Sequence, residues 1–185
     1  MATIFYFKEV DAGVSGEYIA TTQRGNSVVE GIVDTVSGGT SIPWTRTRGG
    51  VPLSFVTKPL AQAVTIAGSI TVNMWAKESN LQANAGAQMK IYKLSGGTKT
   101  LIATLTRGVE LTATFAAQNF SDTPTSTVFA KGDRIVFEPC ISNVGTMGNN
   151  RFVTMAYGGA TAAVSGDTYI SIFETIVIKE KAITT

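Results

Sequence analysis

The stretch VTIAGSITVNMWAK, residues 64–77, decides the fold class of this chain. Its even positions carry valine, isoleucine and methionine with one glycine, while its odd positions are mostly threonine, serine, asparagine and alanine as far as Trp75. A period of two residues places these two sets on opposite faces of a β-strand, whereas a helix would spread the apolar side chains around its axis. The pattern predicts a strand with one buried face, and Gly68 is a point at which it can break into two pieces.

Further alternating runs follow at the spacing typical of a β-sandwich or barrel. Strands are predicted at residues 87–94, 98–106, 109–115, 125–130, 134–141, 151–157 and 168–178, with a loop at 119–124. The turn Ser95-Gly-Gly97 predicts a hairpin whose second strand directs Leu101, Ala103 and Leu105 inward. Residues 78–86 can form at most a short helical turn. We therefore expect an all-β, antiparallel, jelly-roll-like β-sandwich, with an immunoglobulin-type sandwich as the alternative.

The first forty residues have a less regular strand pattern than the rest of the chain. A short aromatic piece at residues 3–7 is followed by segments punctuated by glycine and serine. We predict an N-terminal arm or strand extension over residues 1–40 and a sandwich domain over 41–185. An aromatic run near a chain end must be tied into a sheet, which is either the protein's own sheet or the exposed edge of a neighbour. The first alternative is preferred; under the second, the interaction residues are Ile4, Phe5, Tyr6 and Phe7.

The composition excludes several classes of function. The chain has 185 residues with no histidine, one cysteine and 13 acidic residues. It therefore cannot build a Ser-His-Asp triad, a histidine-containing zinc site, a multi-cysteine cluster or an internal disulfide. We predict a protein that is not an enzyme and has no cofactor and no metal.

Charge is also scarce. The net charge is +2 and 15% of the residues are charged, which is too weak a field to attract nucleic acid or an anionic membrane. Surfaces with so little charge repel one another weakly and associate readily, so we expect a homo-oligomer or a larger assembly.

No targeting segment is predicted. The N-terminal residues lack a basic region followed by an apolar run of signal length, and the longest uncharged stretch, residues 59–76, alternates and so does not read as a membrane span. We expect synthesis in the cytoplasm, in keeping with the single Cys140. Because Cys140 lies in the apolar run 135–141, it is predicted to be a small buried hydrophobic residue rather than a nucleophile.

Two segments could offer an aromatic or cationic contact surface. Arg46 and Arg48 share a face with Trp44 if their segment is extended, a combination that can stack on bases or sugars. Packing of Trp44 against the sandwich is the simpler alternative. Trp75 lies on the outer face of its strand, where it could be an interface anchor or a sugar platform.

Two carboxylates could support chemistry. Glu138 and Glu174 each interrupt an apolar run and could meet across neighbouring strands as the acid and base of a hydrolase or lyase. Solvent-facing positions on the outer face explain them more simply. Asp133 and Asp167 follow glycine at turns, where aspartate commonly bonds its own backbone.

The segments Ser41-Ile-Pro-Trp-Thr-Arg46, 67–80, 131–139, 145–148, 157–161 and 165–170 share a pattern of turns and strand starts. These segments resemble β-sandwich virion proteins of tailed bacteriophages, and the resemblance extends over about residues 41–178. The resemblance implies a jelly-roll module that acts as a capsid decoration (cement) protein, or as part of a tail or fibre assembly. It further implies the major capsid protein or another virion protein as partner, a trimer in preference to other oligomers, and a place in the virion. The alternative is a tail- or fibre-associated carbohydrate-binding module with Trp44, Trp75 and Tyr157 as stacking residues.

Overall fold

The computed structural model describes residues 1–14, 17–23, 29–35, 41–45, 48, 50–148, 151–158 and 167–179. Within these residues the secondary structure consists of strands and one 3-10 turn at Leu81–Ala83. The strands are β1 Thr3–Asp11, β2 Tyr18–Thr21, β3 Val29–Thr35, β4 Ile42–Pro43, β5 Phe55–Thr57, β6 Val64–Ile66, β7 Ile70–Glu78, β8 Ala85–Ser95, β9 Thr98–Glu110, β10 Ala116–Asp122, β11 Thr127–Phe129, β12 Arg134–Asn143, β13 Arg151–Tyr157 and β14 Tyr169–Ile172. No helix in this part of the chain is long and apolar enough to cross a membrane.

Twelve of the described strands join one large sheet. Its order is β3-β13-β7-β14-β1-β2-β5-β12-β8-β9, with β10 attached to β7 and β4 to β12, while β6 and β11 form a separate pair. The sheet folds around one hydrophobic core, so the prediction of an all-β, sandwich-like fold is confirmed. The prediction of purely antiparallel strands is wrong for one pair, because β2 and β5 run parallel. That pairing is possible because a long connection, residues 22–54, joins the two strands.

The stretch 64–77 folds as predicted, and Gly68 divides it. The even side chains Ile66, Ile70, Val72 and Met74 are all fully buried. Between β6 and β7 the Glu174 Oε1 atom accepts hydrogen bonds from the backbone N–H groups of Ala67 and Gly68, at 2.8 and 2.6 Å. The Phe173 side chain fills the space beside Gly68, where a Cβ atom would lie 2.6 Å from the ring. These contacts take the place of strand-to-strand hydrogen bonds at Ala67 and Gly68, and they separate β6 from β7.

The N-terminal strand completes the protein's own sheet, as preferred from the sequence. β1 pairs with β14 through residues 3–6 and with β2 from residue 6 onward. Phe5 and Phe7 point into the core, where their ring centroids lie 5.7 and 5.9 Å from that of Phe137 and the Phe7 ring stacks on Phe55 at 4.4 Å. The side chains of Phe5 and Phe7 are therefore not available to a partner. The division at residue 40 stays a prediction, and in the described chain β1, β2 and β3 all pair with later strands.

The region after β9 differs from the prediction. We predicted a strand over 109–115 and a loop over 119–124, whereas β9 runs to Glu110 and the next strand is β10. The Leu111 N–H donates to the Ala85 carbonyl and then the chain turns, so residues 111–115 leave the ladder. The polar residues of β10 form a strand because they pair with β7 over seven consecutive positions. A neighbouring strand has here overridden a weak local preference.

The predicted inward side of β9 is partly wrong. Leu105 is buried as expected, but Leu101 is 51% exposed. In the ladder Ile91 faces Ala103 while Tyr92 faces Leu101, so the register shifts at Ile102. An extra residue in one strand exchanges the faces of all the residues beyond it, which turns Leu101 outward.

Two other predictions concern the turn between β8 and β9 and the end of β14. The hairpin turn is confirmed, with φ of +54° at Gly96 and +85° at Gly97, the left-handed conformation that a tight two-residue turn requires. The predicted strand 168–178 ends at Ile172, because the Phe173 N–H donates to the Ser69 carbonyl and the Ile176 N–H to the Thr3 hydroxyl.

Candidate binding surface

Four adjacent strands, β10, β7, β14 and β1, present an outer surface whose central part is uncharged, with Lys77 on β7 and Lys8 on β1 beyond it on the same side. Paired residues project to the same side of a sheet, and the neighbouring positions Phe5, Ile170 and Val72 are buried in the core. The outward positions form two rows in register. We call them together the tyrosine face, which consists of Ser121, Thr71, Ser171 and Ile4 in one row and Asn119, Asn73, Tyr169 and Tyr6 in the other.

Two tyrosine rings lie side by side on this face. The ring centroids of Tyr6 and Tyr169 are 6.1 Å apart and the ring planes are inclined by 58°. Asn73, which pairs with Tyr169 in the sheet, is only 8% exposed, and its Nδ2 donates to the Asp167 carbonyl at 2.6 Å. The two rings, on strands far apart in the chain, therefore form an angled aromatic surface next to a fixed amide.

A cleft of about 390 Å³ opens beside Tyr6. Its lining includes Met1, Thr3, Ile4, Tyr6, Thr22 and Thr175. The Thr175 hydroxyl donates to the Met1 carbonyl and the Thr3 hydroxyl to the Glu174 carbonyl, so the floor of the cleft is tied together. Its side chains combine apolar and aromatic carbon with hydroxyl groups and bear no charge.

A second cleft, of about 350 Å³, has a different chemistry. Its lining includes Val14, Glu17, Leu94, Lys99, Gly132 and Arg134. The Lys99 ammonium lies 3.3 Å from Glu138 Oε2, 3.9 Å from Glu17 Oε1 and 4.4 Å from the centre of the Tyr92 ring. Burial raises the pKa of Glu17 even though Lys99 opposes the shift. Lys99 forms ion pairs with both Glu17 and Glu138. These ion pairs link β9 to β12 and to the residue that precedes β2.

The hypothesis of an acid–base pair finds no support in the positions of Glu138 and Glu174. Glu138 accepts a hydrogen bond from the Tyr92 hydroxyl at 3.1 Å and faces Lys99. Glu174 accepts the two backbone N–H groups that end β6. The two carboxylates have separate sets of partners, and each is used to hold the fold.

The sequence did not predict a third pair of acidic residues that the structure brings together. Glu78, at the end of β7, is 1% exposed, and Glu110, at the end of β9, lies within hydrogen-bonding reach of it. Burial, with a smaller contribution from the charge of Glu110, raises the pKa of Glu78 to about 7. No salt bridge to Glu78 is present among the described residues. The sequence could not show this, because nothing local brings residues 78 and 110 together.

The structure corrects part of the predicted interaction set. Trp44 and Tyr157 are buried in the core, where the Tyr157 ring meets Phe55 edge-on at 5.2 Å, so neither can stack on a sugar. Packing of Trp44, the simpler alternative, is therefore confirmed. The Arg48 guanidinium pairs with Asp34 and lies over the Phe152 ring, so it is also used internally.

The remaining predicted residues fall into three groups. Arg46 lies outside the described residues. Ile4 and Tyr6 are on the tyrosine face, and Trp75 is half-buried on the same side of β7, two residues beyond Asn73. Tyr169 was missed, although the alternation in residues 168–178 placed it with Ser171 on the side opposite the isoleucines, which was a usable signal.

Cys140 is a buried free thiol, as predicted from its apolar run. Burial, reinforced by the neighbouring Glu138 carboxylate, raises its pKa to about 12. Since only the thiolate reacts rapidly, we expect no measurable labelling of the native protein by a disulfide reagent such as DTNB at pH 8. One thiol per chain should react at once in guanidinium. Fast labelling of the native protein would show that Cys140 is accessible.

Over the described residues the chain is a sandwich-like all-β domain with one cleft lined by uncharged side chains and one lined by charged side chains. No known protein family and no curated protein sequence matches the chain. Among solved structures it is similar to a CocE/NonD family hydrolase from Staphylococcus aureus, with a TM-score of 0.64 and 12% identity over 96% of this chain. It is also similar to an α-amino acid ester hydrolase, with a TM-score of 0.61 and 17% identity over 92% of this chain. A third is an aminopeptidase from a marine sediment Thaumarchaeota archaeon, with a TM-score of 0.62 and 13% identity over 96%.

The match covers only part of each of these proteins. The chain spans 37% of the staphylococcal hydrolase, 36% of the ester hydrolase and 37% of the aminopeptidase. At this level of identity the similarity establishes a shared fold and does not transfer an activity.

Proposed function

We propose that this protein is a structural protein of a tailed-phage virion, a capsid decoration protein that binds and stabilises the head lattice. The observation that carries the proposal is the long edge strand β9. Among the described residues its thirteen residues pair only with β8, and Leu101 and Val109 on it are 51% and 55% exposed. An edge strand with exposed apolar side chains is suited to pairing with the sheet of a neighbouring subunit.

The low charge supports the same proposal. With 28 charged residues out of 185 and a net charge of +2, copies of this chain repel one another and their partners weakly. A trimer on a symmetric lattice would repeat shallow contacts many times, which produces strong overall attachment from individually weak contacts. The partner in this proposal is the major capsid protein or another virion protein.

The proposal is also that the chain is not an enzyme. Without histidine it cannot assemble a Ser-His-Asp triad. The two glutamates considered for an acid–base mechanism are each committed to structural contacts. Similarity to parts of three hydrolases is therefore interpreted as the sharing of a β-domain and not of their reactions.

The test is binding to phage heads from which the protein has been removed. Purified protein should oligomerise and co-sediment with the heads, and electron microscopy should locate it on the head surface. Leu101→Asp, which puts a charge on the free part of β9, should weaken co-sedimentation at least about tenfold. Val128→Asp is the matched control, since Val128 is also exposed but lies on β11.

Either of two results would count against the proposal. A protein that stays monomeric and does not sediment with heads is not a decoration protein. Equal loss of binding in both variants would remove β9 as the contact strand.

A further inference from the structure

We infer that the tyrosine face and the cleft beside Tyr6 form a binding site for an uncharged oligosaccharide. This inference does not depend on the proposed place in a virion, because it rests on a different surface from β9.

The side chains match the chemistry of a sugar ring. One face of a pyranose exposes C–H groups, which pack against the face of an aromatic ring, while its hydroxyl groups both donate and accept hydrogen bonds. Tyr6 and Tyr169 supply two rings 6.1 Å apart and inclined by 58°, so that they bound a corner rather than one flat plane. Asn119, Thr71 and Ser171 supply amide and hydroxyl groups of the same dual character around the rings.

Because the two rows have no charged side chain, they favour a neutral ligand over an acidic one. None of the eight side chains of the tyrosine face is that of an acidic residue, a lysine, an arginine or a histidine. The next outward residue along β1 is Lys8, two positions beyond Tyr6 and outside both rows. An acidic sugar would find no side-chain cation within the rows to replace its hydration, whereas the hydroxyl groups of a neutral sugar can exchange water for the amide and hydroxyl groups of the rows.

The shape of the surface is compatible with a sugar chain. The cleft of about 390 Å³ lies within the range of small-molecule sites and continues from the tyrosine face at Ile4 and Tyr6. Its threonine-lined floor would accept the end of a chain whose preceding unit lies on the Tyr6 and Tyr169 rings.

The site differs from the one that the sequence suggested. Trp44 and Tyr157 are in the core, so the stacking residues are Tyr6 and Tyr169. Trp75 lies on the same side of β7 and extends the aromatic surface at one end.

The experiment is a glycan array of neutral and acidic bacterial-surface oligosaccharides, followed by calorimetric titration of the best neutral ligand. Tyr6→Ala should weaken binding at least about tenfold, while Tyr6→Phe, which keeps the ring, should retain most of it. Leu101→Ala is the matched control, because Leu101 is exposed on β9 and outside the tyrosine face. Its affinity should equal that of the unmodified protein.

A second variant separates a loss of binding from a loss of folding. Thr22 is exposed at the cleft, so Thr22→Trp should fill the recess, leave the melting temperature unchanged and abolish binding. If no neutral oligosaccharide binds, if only acidic ones bind, or if Tyr6→Ala and Thr22→Trp bind normally, the inference is wrong. Head binding without sugar binding would overturn this site alone, and sugar binding without head binding would overturn only the proposed function.

Discussion

Replacing Phe7 with alanine should lower the free energy of unfolding by about 3–5 kcal/mol, the range observed when a buried phenylalanine is truncated. The Phe7 side chain is fully buried and packs between Phe55 and Phe137, with ring centroids 4.4 and 5.9 Å away. Truncation removes these contacts and leaves a cavity where β1 crosses the core. Urea denaturation followed by tryptophan fluorescence measures the change.

The control for this prediction is an outward position on the same strand. Ile4→Ala removes an aliphatic side chain from β1, but Ile4 is 39% exposed, so we expect a loss below about 1 kcal/mol. Equal and small effects of both substitutions would mean that β1 is a detachable arm, as the division at residue 40 predicted. A large effect at Phe7 alone would establish β1 as an integral strand.

Glu78→Gln should stabilise the protein at alkaline pH. The pKa of Glu78 is about 7 in the folded protein against an ordinary value of 4.5, because burial and Glu110 oppose its ionisation. The folded state then binds the proton more tightly than the unfolded state, so stability falls as the pH rises from about 4.5 to 7 and stays lowered above that. A rise in pKa from 4.5 to about 7 corresponds to about 3–4 kcal/mol, at about 1.36 kcal/mol per pKa unit.

The amide of the Glu78→Gln variant cannot ionise, so the substitution should remove this loss. At pH 8.5 we expect Glu78→Gln to be about 3–4 kcal/mol more stable than the unmodified protein, and at pH 4 nearly equal to it. Glu174→Gln is the control, because Glu174 accepts two backbone N–H groups and its substitution should give no gain at pH 8.5. Parallel stability curves for Glu78→Gln and the unmodified protein between pH 4 and 8.5 would refute the shifted pKa.

Local patterns predicted the strands that have one clearly buried face. The alternation in 64–77 marked both the buried residues and the break, and the residues 151–157 were placed without error. The Gly96-Gly97 turn was predicted because a tight hairpin needs residues that tolerate positive φ. β10 was missed because its sequence, AAQNFSD, has little apolar alternation and is held in the sheet by β7.

The candidate site was less predictable than the strands. The sequence indicated Ile4, Tyr6 and Trp75 as interaction residues, and these lie on or beside the outer surface of one sheet. For Trp44 it left two alternatives, packing and a contact role, because a tryptophan in an irregular segment carries no periodicity to show which side it faces, and the buried side chain confirms packing. Likewise, the one-residue register shift at Ile102 turns Leu101 to the opposite face of the sheet, and the residue types in this strand do not indicate that shift.

The sequence by itself determined that this is an all-β protein without histidine chemistry, because side-chain alternation and residue types are local properties. Only the tertiary structure decided which strands are neighbours. The meeting of Tyr6 with Tyr169, and of Glu78 with Glu110, depends on the order and register of strands far apart in the chain. That register is fixed by the packing of the whole core, in which each strand contributes one face, and no short segment contains it.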